Sequence, residues 1–288
     1  MSLPPKKIKY IDSVKRPVVR PCPCCVDHLS CGYVVISHII GCPYNCSYCF
    51  LHTFYGKDEI VVYNHETDIV AQVADYLSKA DRPLRLGTGQ YSDSLAMPEA
   101  VSLAKKLVQF FAGQTEHLFE LKTKSAAVEE LLDLDHQEKT VVAWSVNPEQ
   151  IAKREELEAE DLGTRLAAAR KCAAAGYPVG FHFDPIYHYP GWEKDYQGVV
   201  DLIFSEIDPA RIAWISLGAL RYKKDRYPEQ VRVEIFKKML ELIRAHSKEV
   251  FVYLCMESED VWEAAGIKNS EQNCFARSFK FFKTLPAK

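Results

Sequence analysis

Seven short apolar, β-branched runs recur along the chain with longer stretches of helical spacing between them, and this alternation leaves few folds open. The runs are Tyr33 to Ile40, Leu84 to Leu86, Leu118 to Lys122, Thr140 to Val146, Pro178 to Phe183, Ile212 to Leu217 and Val250 to Cys255. Most are almost continuously apolar, as strands buried on both faces are. Helical spacing shows in Ile69, Val73, Tyr76 and Leu77 and again in Val231, Ile235, Met239 and Leu242. Thr164 is the expected N-cap of a helix ending before Gly176. Strand, helix and strand repeated about six times predicts a parallel sheet with right-handed crossovers. Polar and Gly-rich residues follow several different strands, at Gly87-Thr88-Gly89-Gln90, Lys122-Thr123-Lys124, Ser145-Val146-Asn147, Asp184-Pro185 and Gly218. A site spread over many strand ends favours a barrel over a doubly wound sheet, which gathers its site at one switch point.

The 288 residues are 48% hydrophobic and 26% charged, enough for one large domain with a substantial core. The domain is expected over 32–288, with 1–31 as a Cys-rich extension wrapping onto it. No run approaches the length of a membrane span and the first residues lack a signal-peptide core, so a cytoplasmic protein without a membrane partner is expected. The net charge of −3 supplies no global pull toward nucleic acid, although a local basic groove stays open.

Ten cysteines in such a chain point to metal or chemistry rather than disulfides, and seven of them fall between Cys22 and Cys49. After the first predicted strand comes Gly41-Cys42-Pro43-Tyr44-Asn45-Cys46-Ser47-Tyr48-Cys49-Phe50, a C-x3-C-x2-C spacing with an aromatic residue before the last cysteine. Three thiolates on a short loop can hold three irons of a [4Fe-4S] cluster. Zinc is the alternative, with His52 as a fourth ligand. The loop resembles that of the radical S-adenosylmethionine superfamily, whose fold is a partial (β/α)6 barrel. There the amino and carboxylate groups of the cofactor chelate the fourth iron, and one electron from the cluster yields a 5′-deoxyadenosyl radical. The resemblance implies a flavodoxin- or ferredoxin-type electron donor. It also implies cofactor contacts at Tyr48, at Thr88, Gly89, Gln90 and Ser92 after the second strand, at Lys124 after the third and at Ser145 and Asn147 after the fourth.

Several longer stretches resemble the spore photoproduct lyase family, from about Cys31 to Arg221. They are Cys49-Phe50-Leu51-His52-Thr53-Phe54-Tyr55-Gly56-Lys57, Tyr91-Ser92-Asp93-Ser94-Leu95, Leu121-Lys122-Thr123-Lys124, Trp144-Ser145-Val146-Asn147, the run from Ala175 to Tyr187, and Gly191-Trp192-Glu193. The family's reaction is radical reversal of a thymine dimer in DNA, which makes DNA an implied partner; a non-DNA substrate, or a non-catalytic iron-sulfur or zinc protein, is the alternative. One departure is pronounced. The family carries a hydrogen-returning cysteine just before a Thr-Ser-Asp sequence at the end of the second strand, and this chain reads Gln90-Tyr91-Ser92-Asp93 there. The return then falls to another residue, with Cys255 first and Tyr91 second as catalytic candidates.

Four further cysteines, Cys22, Cys24, Cys25 and Cys31, share ten residues with His28, a density typical of metal sites. They are candidate ligands of a second iron-sulfur cluster or of zinc. Asp184 is the leading substrate or ribose contact, whereas His182 and Cys172 read as core residues.

Overall fold

Each of the seven apolar runs overlaps one parallel strand of a single sheet, and four of those strands extend past the end of their run. The computed structural model describes residues 6–13, 16–23, 28–56, 58–221 and 227–267. The strands are β1 (Val34–Ile36), β2 (Arg85–Gly87), β3 (Leu118–Thr123), β4 (Thr140–Ser145), β5 (Val179–Ile186), β6 (Ile212–Ala219) and β7 (Val252–Leu254). They lie side by side in chain order, and Val19–Pro21 adds an antiparallel edge to β1. The result is an open, curled α/β sheet, a partial barrel.

Five helices make most of the crossovers: α1 (Glu66–Ser78), α2 (Pro98–Ala112), α3 (Leu162–Ala174), α4 (Trp192–Glu206) and α5 (Glu229–His246). Between β3 and β4 the ordinary α-helix is replaced by a 3-10 turn at Glu129–Leu131, so the six-fold repeat is imperfect. Apolar faces of these helices close the outside of the sheet. Leu103, Leu107 and Phe111 of α2 are fully buried, with Phe111 stacked on Phe119 of β3 at 5.2 Å.

Two local expectations need correction. Helix α3 starts at Leu162, and its N-cap is Asp161, whose carboxylate accepts the Thr164 backbone N–H at 2.7 Å. Thr164 is therefore the third residue of the helix. The first run is also split. Ser37 turns out of the sheet and donates from both its backbone N–H and its hydroxyl to the Val18 carbonyl. Ile39–Ile40 then pairs antiparallel with Glu59–Tyr63, which itself pairs in parallel with Lys7–Ile11. This small second sheet lies on either side of the cysteine loop in sequence.

Candidate active site

Gly41 opens the loop in the left-handed region, at φ +102°, and donates its N–H to the Tyr91 carbonyl at 2.9 Å. A Cβ there would lie 2.8 Å from the Glu59 carbonyl oxygen, so the position takes only glycine. Beyond it, Asn45–Cys46 pairs antiparallel with Glu156–Leu157, placing Cys46 opposite Glu156. The Cys49 N–H closes a turn onto the Cys46 carbonyl at 3.1 Å. Cys42 and Cys49 pack on an apolar group of Tyr33, Val35, Leu51 and Tyr91. On the other side Lys6 Nζ donates to the Cys42 and Tyr44 carbonyls at 2.6 and 2.8 Å.

Cys42, Cys46 and Cys49 are all free thiols. Burial pushes the Cys46 thiol up to about 11 and the Cys42 thiol higher still. Buried thiols of this kind become ligands when a metal supplies the positive charge that water does not. The donor set is soft, as an iron-sulfur cluster requires, and the loop fits one. Among the described residues no three His, Cys, Asp or Glu side chains are grouped to hold a single ion. A cubane engages each sulfur through a different iron.

The expected cofactor residues fall into two groups. After β2, the Thr88 hydroxyl donates to Ser94 Oγ at 2.8 Å, the Ser92 hydroxyl is buried with no hydrogen-bond partner, and Gln90 is half-buried. A Cβ on Gly89 would sit 2.6 Å from Lys122 Cβ, so this turn lies directly on β3. Asp93 ties the two strand ends together, accepting from the Thr123 hydroxyl and the Lys124 N–H, both at 2.6 Å. The second group surrounds Glu156. Its Oε1 accepts from the Tyr48 hydroxyl at 2.5 Å and Asn147 Nδ2 at 2.9 Å, while Oε2 meets Arg165 Nη2 at 2.6 Å. Burial opposes the Glu156 charge, but Lys124 and Arg165 outweigh it and hold the carboxyl below its usual range. The Lys124 ammonium lies 5.6 Å from the centre of the Tyr48 ring. The Asn147 amide is engaged at both ends, since Oδ1 accepts from the Tyr196 hydroxyl at 2.8 Å. Ser145 is buried beside this group, its carbonyl taken by Arg165 Nη1 at 2.9 Å.

Asp184 and Cys255 meet at the ends of β5 and β7. The Cys255 thiol lies beside the Asp184 carboxylate, and Arg221 Nη2 reaches that carboxylate at 2.9 Å. Arg221 Nη1 also donates to the Cys255 carbonyl at 3.1 Å. Burial pushes the Cys255 thiol far above its ordinary value, which keeps the sulfur protonated. Tyr91 belongs to different surroundings, between Phe50 and Tyr55 and under the Arg20 guanidinium at 5.0 Å.

A polar network inside the sheet was not expected from the sequence. Glu120 of β3 ion-pairs with Arg85 of β2 at 3.7 Å and accepts from His182 of β5 at 2.7 Å; His182 Nδ1 meets Ser216 of β6 at 2.5 Å. Arg85 Nη2 donates to the Tyr253 hydroxyl of β7 at 3.3 Å and faces Cys31 Sγ at 3.6 Å. The only available signal was a charge inside each of two apolar runs. Expectations for the core hold: His182 is satisfied and Cys172 is buried. Cys22 and Cys31 pack against the same apolar group as Cys42 and Cys49, while Cys24 and Cys25 lie outside the described residues.

The match to known proteins runs from before β1 into α5 and so covers most of the barrel. A family model described as spore photoproduct lyase matches residues 28–242. The chain is 35% identical over 200 residues to a spore photoproduct lyase of Geobacillus sp. (strain Y412MC61), covering 66% of this chain and 59% of that protein. It spans about half to three fifths of the length of the curated relatives it matches. Among solved structures, a spore photoproduct lyase complexed with dinucleoside spore photoproduct superposes with a TM-score of 0.73 at 24% identity, covering 86% of this chain and 82% of that one. A mutant spore photoproduct lyase with bound AdoMet and the same dinucleoside gives 0.72 at 24% identity, over 84% and 81%. With its family match extending over most of the barrel and three thiols on the loop after β1, the chain belongs to the spore photoproduct lyase family of the radical S-adenosylmethionine superfamily.

Proposed function

We propose that this chain is a radical S-adenosylmethionine enzyme that reverses a thymine dimer of the spore photoproduct type in DNA. The reading rests on one observation: the thiol loop follows the first strand of the same sheet whose fifth and seventh strands bring Asp184 and Cys255 together around Arg221. Cys42, Cys46 and Cys49 hold the cluster, and Tyr48, Lys124, Ser145, Asn147 and the turn from Thr88 to Ser92 surround the cofactor. When bound, cluster and cofactor supply a radical able to take hydrogen from carbon. Arg221 holds the Asp184 carboxylate, and Asp184 orients the Cys255 S–H, which returns hydrogen to the product radical. Electrons come from a small acidic carrier of the flavodoxin or ferredoxin type.

A second reading, in which the same chemistry acts on a non-DNA substrate, is favoured by Gln90 at the place of the family's cysteine. Anaerobically reconstituted protein with dithionite, S-adenosylmethionine and dinucleoside spore photoproduct decides between them. Release of paired thymidines supports the first reading, and 5′-deoxyadenosine formed without lesion turnover supports the second. Loss of 5′-deoxyadenosine in Cys46→Ala is expected in both, and its persistence refutes both.

A further inference from the structure

Glu156 was not marked by any motif, yet it bonds two residues that the sequence singled out, Tyr48 and Asn147. It lies on the two-residue strand Glu156–Leu157, opposite Cys46 of the thiol loop, and is 3% exposed. Its neighbours grip the same loop. Glu155 accepts the Ser47 N–H on its carbonyl at 2.8 Å and the Ser47 hydroxyl on its carboxylate, and Glu158 accepts from Asn45 Nδ2 at 2.6 Å. Glu156 itself joins Tyr48, which stands between the second and third cysteines, to Asn147 at the end of β4, with Arg165 behind them.

The geometry points to Glu156 as the positioning residue that fixes the nucleoside side of the cofactor pocket to the thiol loop, holding Tyr48 and Asn147 in their binding arrangement. This assignment rests on the reading that Tyr48, Lys124 and Asn147 face S-adenosylmethionine. Only a carboxylate serves here. A tyrosine hydroxyl and an amide donate to one of its oxygens while a guanidinium ion-pairs with the other, and an ionised carboxylate meets all three without donating. Glutamine has the same shape but must turn an N–H toward one of those donors. A buried ion pair that only supports the fold would behave differently, because its loss lowers stability without altering how the folded protein binds ligand.

The test measures S-adenosylmethionine affinity of reconstituted protein by equilibrium dialysis, together with iron content and the EPR signal of the reduced cluster with and without S-adenosylmethionine. Glu156→Gln is expected to weaken binding about tenfold and to blunt the cofactor-induced change in the EPR signal, with iron retained. Tyr48→Phe leaves the Arg165–Glu156 pair intact, so it folds, and is expected to lose affinity in the same direction. The double variant should bind no more weakly than Glu156→Gln alone, since both changes cut one hydrogen bond. Folded Tyr48→Phe and Glu156→Gln proteins that bind as tightly as the wild type overturn the assignment alone. Wild-type protein that holds iron but binds no S-adenosylmethionine overturns the cofactor reading as well.

Discussion

Glu120 of β3 reaches His182 of β5 at 2.7 Å, past the intervening strand β4. The same carboxylate ion-pairs with Arg85 at 3.7 Å, and all three side chains are buried. One acid thereby ties β2, β3 and β5 together through the interior rather than through backbone hydrogen bonds. Removing it strands a guanidinium that has no water to turn to.

Glu120→Ala should therefore cost about 3–5 kcal/mol of stability, measured by anaerobic urea unfolding of the reconstituted protein. Replacing Arg85 and Glu120 together with methionine should recover much of that loss, because two desolvated charges then disappear as a pair. A Glu120→Ala protein as stable as the wild type would remove the network's structural role.

Acid should destabilise the fold from well above the carboxylate range. Burial lowers the His38 pKa to about 4, and burial with the nearby Lys122 charge lowers that of His182 to about 4 as well. Between the ordinary histidine value of about 6.5 and this lowered value, the unfolded chain binds a proton that the folded chain refuses. The contribution is intact above the unfolded value and lost as pH falls through that window, about 3 kcal/mol for each histidine. Glu120 extends the loss at lower pH. Burial opposes its charge, but Arg85 and His182 outweigh it and hold the carboxyl at about 2, so its contribution fades as pH drops from the usual carboxylate value. Melting temperatures from pH 7 to 5 should fall more steeply for the wild type than for His38→Gln; equal slopes refute the assignment to His38.

The barrel was legible because strands buried on both faces must be apolar along their whole length, and all seven runs carry strands. The thiol loop was legible because three cysteines at C-x3-C-x2-C form a spacing visible without any partner distant in sequence. Harder to see were residues whose role depends on partners distant in sequence. Glu156 sits in Glu155-Glu156-Leu157-Glu158-Ala159-Glu160, which reads as a solvated acidic face until pairing with Asn45–Cys46 buries it. Arg85 and Glu120 look like interruptions of apolar runs until the sheet brings them within reach of one another. The break after Ile36 depends on Val18, whose carbonyl captures Ser37 from outside the run.

Iron counting addresses the N-terminal cysteines. With Cys42, Cys46 and Cys49 all changed to alanine, a second cluster on Cys22, Cys24, Cys25 and Cys31 would leave about four irons per chain, and a structural clip would leave one zinc. A metal-free triple variant removes the second site. Cys31 then keeps its packing on the apolar group around Tyr33 and the contact with Arg85, where its sulfur faces the guanidinium at 3.6 Å.

Turnover in deuterium oxide tests the hydrogen donor. The Cys255 S–H is exchangeable and lies beside Asp184, so a product radical quenched there acquires deuterium. Cys255→Ala should lower the deuterium content of the repaired thymine, while Tyr91→Phe should not, because Tyr91 packs with Phe50, Tyr55 and Arg20 rather than with Asp184. Asp184→Asn provides a graded control. It keeps the size of the side chain, removes the charge that Arg221 pairs with, and should reduce deuterium transfer less than loss of the sulfur itself. If deuterium content is unchanged in Cys255→Ala and falls in Tyr91→Phe, the tyrosine is the donor. If neither variant changes it, the radical is quenched without either side chain, and the Asp184–Cys255 pair is left with an orienting role toward substrate.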